Sequence, residues 1–132
     1  LTSVLDASAL LAYLHEEPGA DVVADALAES ARMSTANFAE TLSKLADAGR
    51  VPSEVADELA DRGILGGLLV LEPVTGDDAL TIADIRATTG RRDISLGDRA
   101  CLALALRLGL PVLTSDGSWA DLGLDVAVQP IR

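Results

Sequence analysis

An alternation constrains this chain more than any other feature: short runs of β-type apolar residues are followed by stretches with helical spacing, from the first residues to the last. Val4-Leu5, residues 32–35, residues 66–71, Pro111-Val112-Leu113-Thr114 and residues 125–128 read as strands. Between them the spacing predicts helices over 8–14, from Pro18 to about Glu29, from Ser34 or Thr35 to Gly49, and from Pro52 to the glycine-rich 63–67 region. Two further helices run from Thr75 to 88–90 and from Leu96 to Leu108, the last stopped by Gly109. On the fifth helix Ala79, Ile82, Ala83 and Ile85 are expected to face inward. Strands alternating with helices imply a parallel sheet inside one layered α/β domain of about five strands, spanning residues 1–132.

A chain of 132 residues is long enough to bury about two-thirds of its unfolded surface, so a proper core is available. That core is expected to be aliphatic, because Tyr13, Phe38 and Trp119 are the only aromatic residues. So few rings argue against a stacking platform for single strands. The net charge of −11 repels phosphate and argues against binding nucleic acid through a broad basic surface, while leaving room for carboxylates that hold a cation. Lys44 is the only lysine, so recognition of an anion falls to guanidinium forks. A basic partner protein would be electrostatically welcome. Cys101 is single, lies in an apolar run and reads as a small buried hydrophobe. No charged leader and no apolar stretch near ~20 residues is visible, so a cytoplasmic protein without a membrane span is expected. The first residue is Leu rather than Met, which leaves the true start open.

Four acids stand apart from the solvated majority. Asp6 follows the first strand, at the edge where open α/β sheets place their ligands, although Asp6 or Ser8 could simply cap the next helix. Asp116 repeats that situation after Thr114, with a turn or cap as the plainer role. Glu40 lies early in the third helix and shares a face with Asn37, three residues before it; there it would also favour the helix dipole. Asp98 closes Ser95-Leu96-Gly97-Asp98, a capping-box pattern. In a parallel sheet all four can converge on one edge. Four carboxylates in one cleft would repel unless a cation held them, and oxygen-only ligands select a hard ion such as Mg²⁺ or Mn²⁺ over Zn²⁺. Such an ion can activate water and neutralise charge on a phosphodiester. The lone histidine, His15, reads as a surface residue.

These segments resemble PIN-domain ribonucleases, and more narrowly the VapC-type toxins of bacterial toxin–antitoxin pairs. The pieces that carry the resemblance are V-L-D-A-S-A-L-L-A-Y-L around Asp6, N-F-A-E around Glu40, S-L-G-D-R-A-C-L-A-L-A around Asp98 and L-P-V-L-T-S-D around Asp116. They span almost the whole chain in the family's order. The resemblance implies a three-layer α/β/α fold and Mg²⁺- or Mn²⁺-dependent endonuclease action on RNA. It implies Asp6 and Asp98 as metal ligands, with Glu40 and Asp116 completing a catalytic quartet directly or through water. Ser8 and Thr114 or Ser115 fall where supporting polar groups are expected, leaving Ser8 as the helix cap. A cognate VapB-type antitoxin is the implied partner, and a homodimer is expected. Arg91, Arg92 and Arg99, beside the third motif, are candidates for contacts to backbone phosphates.

Two other readings stay open on sequence grounds. One is a PIN-like binding module that no longer cuts. The other is a phosphotransfer fold with a nucleophilic aspartate. The latter wants either an acidic pair and a late lysine, or a second Asp where this chain has Ser8.

Overall fold

The computed structural model describes residues 2–132. Its elements are β1 (Val4–Leu5), α1 (Ala7–Leu14), α2 (Ala20–Ala28), β2 (Ala31–Ser34), α3 (Thr35–Asp47), α4 (Pro52–Asp61), β3 (Leu69–Glu72), α5 (Gly76–Thr89), α6 (Leu96–Leu108), β4 (Val112–Thr114) and β5 (Val128–Pro130), with a 3₁₀ turn at Gly117–Asp121. All five strands are parallel, in the order β3-β2-β1-β4-β5. The α/β class and the five-stranded parallel sheet expected from the alternation are therefore present, in one domain.

Side chains of adjacent strand residues point to opposite faces of a sheet, and here that rule divides the core in two. Leu5 and Leu113 join Leu10, Val23, Leu27 and Leu59 beneath α1–α4. Val4 and Val112 join Ile82, Ile85, Leu102 and Trp119 beneath α5 and α6. The central strand β1 is wholly apolar, and Val112-Leu113 of β4 likewise, because both faces are covered there. Three layers result, as the resemblance implied.

The strand order reverses its direction of growth between β1 and β4. Val4 pairs with Val112 and Leu5 with Leu113, so Asp6 and Thr114 leave the sheet side by side. This is the switch point at which open α/β sheets leave a crevice beyond their strand ends.

Several local expectations are corrected. Asp6, not Ser8, is the N-cap of α1. Helix α2 starts at Ala20 rather than Pro18, because Gly19 takes a left-handed φ of 97° and caps it; a Cβ there would lie 2.7 Å from the Ile131 carbonyl oxygen. The last strand pairs over Val128–Pro130, not 125–128, since buried Ile131 anchors the end of the chain by donating its N–H to the Thr114 carbonyl at 2.9 Å. Pro130 is tolerated because β5 is an edge strand. On α5, Ala79 and Ala83 are exposed, and the inner stripe is Asp78, Ile82 and Ile85. Asp78 can occupy it because its carboxylate completes a capping box with Thr75 and pairs with Arg107 at 2.9 Å. Among the described residues no helix is long and apolar enough to cross a membrane.

Candidate active site

Asp6 is held by three donors. Its Oδ1 accepts from the Ser8 hydroxyl at 2.7 Å and the Ala9 N–H at 2.8 Å, and its Oδ2 accepts from the Thr114 hydroxyl at 2.6 Å. The two hydroxyls are themselves tied down: Ser8 Oγ accepts from the Ser115 N–H, and Thr114 Oγ1 accepts from the Asp116 N–H, both at 3.0 Å. Both Ser8 and Thr114 are thus supporting groups, as the resemblance implied. Burial pushes the Asp6 carboxyl above the ordinary aspartate range; the three donors work against this, and the charge of Asp98 adds to it. A carboxylate with an acid neighbour and no cation is a natural recipient for a positive charge.

Asp98 enters from α6. Its N–H donates to Ser95 Oγ and its Oδ2 accepts from the Ser95 N–H, both at 3.1 Å, so the capping box read in the sequence is formed. Glu40 enters from α3. An ideal Cβ at Gly97 would lie 3.1 Å from Glu40 Oε1 and 3.5 Å from Oε2, so the Glu40 carboxylate rests on the first turn of α6. One turn earlier in α3, buried Asn37 donates from Nδ2 to the Gly97 carbonyl at 2.9 Å. Below them Cys101 is completely buried, which pushes its thiol far up, and the charges of Asp6, Asp98 and Glu40 push it further. The charges of three acids from distant parts of the chain therefore reach one buried thiol.

Asp116 stands at the same sheet edge but differs from them. It is exposed, and its Oδ1 is engaged by the Ser118 N–H at 3.0 Å and the Ser118 hydroxyl at 2.6 Å, capping the 3₁₀ turn. Arg91 grips Asp93 through two bonds of 2.8 and 2.7 Å, which hold the Asp93 carboxyl down at about 2. Arg92 is exposed. Arg99 is not available to phosphate: it is buried and donates to the Ile82 carbonyl at 2.9 Å, stitching α6 to α5. Its place in an apolar helix face, not its neighbourhood to Asp98 in the sequence, decides its role. His15 is exposed, as expected.

Among the described residues no three acid, histidine or cysteine side chains come close enough to enclose an ion unaided. The donor set still fits Mg²⁺ or Mn²⁺. Mg²⁺ dehydrates reluctantly and commonly takes only one or two carboxylates, keeping waters for its remaining positions. Asp6 and Asp98, with Glu40 beside them, offer oxygens alone.

A PIN domain family model matches residues 3–124. The chain belongs to the PIN domain family. Among solved structures, this PIN domain is similar to a chain of FitAcB from Neisseria gonorrhoeae, with 27% identity, a TM-score of 0.72 and coverage of 98% of each chain. It also matches a chain of a toxin–antitoxin complex from Klebsiella pneumoniae at 14% identity and a TM-score of 0.73, covering 99% of this chain and 98% of that one. A chain of DNA-bound VapBC from Salmonella typhimurium matches at 14% identity and a TM-score of 0.73, covering 100% and 99%. At that identity the last two speak for the PIN fold alone. A search of curated proteins gives no match.

Proposed function

We propose that this PIN domain is a divalent-metal-dependent endoribonuclease and the toxin of a toxin–antitoxin pair. The observation that carries the reading is that Asp6 stands at the switch point of the sheet within reach of the Asp98 charge, that the Glu40 carboxylate lies against Gly97 next to Asp98, and that none of the three takes part in any ion pair among the described residues. Buried or crowded carboxylates without an internal cation call for an external one. Asp6 and Asp98 are the proposed metal ligands, and Glu40 and Asp116 complete the quartet directly or through water.

A bound Mg²⁺ or Mn²⁺ supplies Lewis acidity toward water and toward phosphodiester oxygens. The chain's own contribution is to orient and to exclude. Thr114, Ser8 and the Ala9 N–H fix the plane of the Asp6 carboxylate. The Ser95 box fixes Asp98 Oδ2 and leaves Oδ1 for the ligand. Glu40, on the floor formed by Gly97, brings a third negative charge to the same place. Exposed Arg92 is the proposed contact to the RNA backbone.

An antitoxin of the VapB type is the proposed partner, as the resemblance of the four motifs to VapC-type toxins implies. The net charge of −11 suits a partner with a basic segment. Mass measurement in solution, alone and with the protein encoded next to it, tests both the partner and a homodimer.

The activity is tested with purified chain, Mn²⁺ or Mg²⁺, and RNA, against Asp6→Asn and Asp98→Asn. Loss of cleavage in both variants, with folding retained, is the expected result. Undiminished cleavage by both, in preparations free of contaminating nuclease, overturns the reading. Absence of divalent binding by calorimetry would point instead to a binding module.

A further inference from the structure

Asn37 is the one fully buried side-chain amide among the described residues. Its two polar atoms are treated unequally. Nδ2 donates to the Gly97 carbonyl at 2.9 Å, whereas Oδ1 is buried without a partner. An orphaned buried acceptor costs on the order of 1–3 kcal/mol, so an apolar side chain of the same size would serve packing better. Stability alone therefore does not account for an amide at this position.

What the amide does hold is a junction between two helices. Its bond closes α3 onto α6 at Gly97, the residue immediately before Asp98. Glu40 lies one turn beyond Asn37 on the same face of α3. Its carboxylate passes over Gly97 so closely that a Cβ would stand 3.1 Å from Oε1. Gly97 is α-helical and has no need of glycine for its backbone; the missing side chain is what lets the carboxylate in. The same residue thus receives the clamp on its carbonyl and the acid on its Cα.

We infer that Asn37 and Gly97 are positioning residues, a clamp and a seat that together fix the Glu40 carboxylate beside Asp98. This rests on the proposed metal-dependent activity and adds to it two groups that touch neither metal nor RNA. Outer partners that orient a metal site typically change metal affinity or activity by ~10–100-fold when removed.

The test uses the full chain as Asn37→Leu and Gly97→Ala, with Asp6→Asn as control. Asn37→Leu keeps the branching and the number of side-chain heavy atoms, with bulkier methyl ends, and removes both the clamp and the orphaned acceptor. Gly97→Ala keeps the clamp, favours the helix and obstructs the seat. Three quantities are read: thermal midpoint without divalent ions, Mn²⁺ affinity by calorimetry, and kcat and KM on an RNA substrate. Expected are a midpoint at or above that of the unmodified chain for Gly97→Ala, Mn²⁺ affinity lower by tenfold or more in the folded fraction of both variants, and a fall in kcat larger than any rise in KM. A purely structural Asn37 would lower the midpoint and leave Mn²⁺ affinity in the folded fraction unchanged, which overturns the inference. If the unmodified chain binds Mn²⁺ and cuts RNA while both variants match it, the inference fails and the proposed function stands. If the unmodified chain does neither, the proposed function fails and takes the inference with it.

Discussion

The Thr114 hydroxyl donates a 2.6 Å hydrogen bond to Asp6 Oδ2 across 108 residues of sequence, joining the ends of β1 and β4 where the sheet changes direction. The bond ties the fold's switch point to the acid on which the proposed chemistry rests. Asp6 Oδ1 caps α1 while Oδ2 takes the Thr114 bond, so the proposed metal ligand is also the helix cap.

Burial raises the Asp6 carboxyl above the ordinary aspartate value of about 3.9. Between that value and the raised one, the folded chain holds a proton that the unfolded chain has lost. Its contribution to stability is therefore full below the unfolded value and is lost as pH rises through the folded one. Asp6→Asn should flatten this dependence and melt at or above the unmodified chain at pH 7 in the presence of chelator. Adding Mn²⁺ at ~100 times its Kd should restore about 2.7 kcal/mol to the unmodified chain and nothing to Asp6→Asn. Melts from pH 4 to 7.5, with and without Mn²⁺, check both; a variant with the same pH profile and the same Mn²⁺ response would contradict them.

Asp98 separates into a capping oxygen and a free one. Asp98→Asn retains an acceptor for the Ser95 N–H, so it should cost less than ~0.5 kcal/mol while abolishing RNA cleavage. Asp98→Ala should lose cleavage and a further ~1 kcal/mol, since the box is broken. Urea unfolding curves of the two variants distinguish these outcomes, and equal stabilities would remove Asp98 from the cap.

At the other end of α6, burial would raise the Asp78 carboxyl, but the Arg107 hydrogen bonds and the Thr75 contacts outweigh it and hold it below the ordinary range. Its stabilisation is present above the unfolded value and is lost as pH falls through the lowered one. Arg107→Ala should cost about 1–3 kcal/mol, less than the ~3–5 of a fully buried pair because a third of the Arg107 side chain is exposed. Denaturant titration at pH 7 and pH 3 should find the deficit shrinking at the lower pH.

The layered parallel fold was legible because its signals are local: Ser95 and Thr75 cap the helices they precede, Gly109 ends α6, and apolar pairs such as Val112-Leu113 mark doubly covered strands. The places of the three candidate acids were also legible: Asp6 follows β1, Asp98 lies in the first turn of α6, and Glu40 lies one turn further into α3 than its helix-dipole reading required. What the sequence concealed depends on tertiary contact. Ser8 and Asp6 are both good caps, and only the Thr114 bond and the Ala9 N–H decide between them. Arg99 looks like its neighbours Arg91 and Arg92 until α5 covers it. The value of Gly97 emerges only when Glu40 arrives from a helix sixty residues away in Asn37's register.

The arginines beside the third motif should divide accordingly. Arg92 is exposed, so Arg92→Ala should weaken RNA binding without regard to sequence and reduce the slope of log affinity against log salt by ~0.7, the loss of one single-strand phosphate contact. Arg99 is buried, bonded to the Ile82 carbonyl, and its Nε has no partner. Arg99→Met should therefore leave the salt slope unchanged and stability within ~1 kcal/mol, because the lost hydrogen bond is offset by the removed orphan donor. Anisotropy of labelled RNA at several salt concentrations, in a cleavage-dead Asp98→Asn background, reads both slopes. A reduced slope for Arg99→Met with an unchanged one for Arg92→Ala would reverse the assignment, and would require the α5–α6 junction to open when RNA binds.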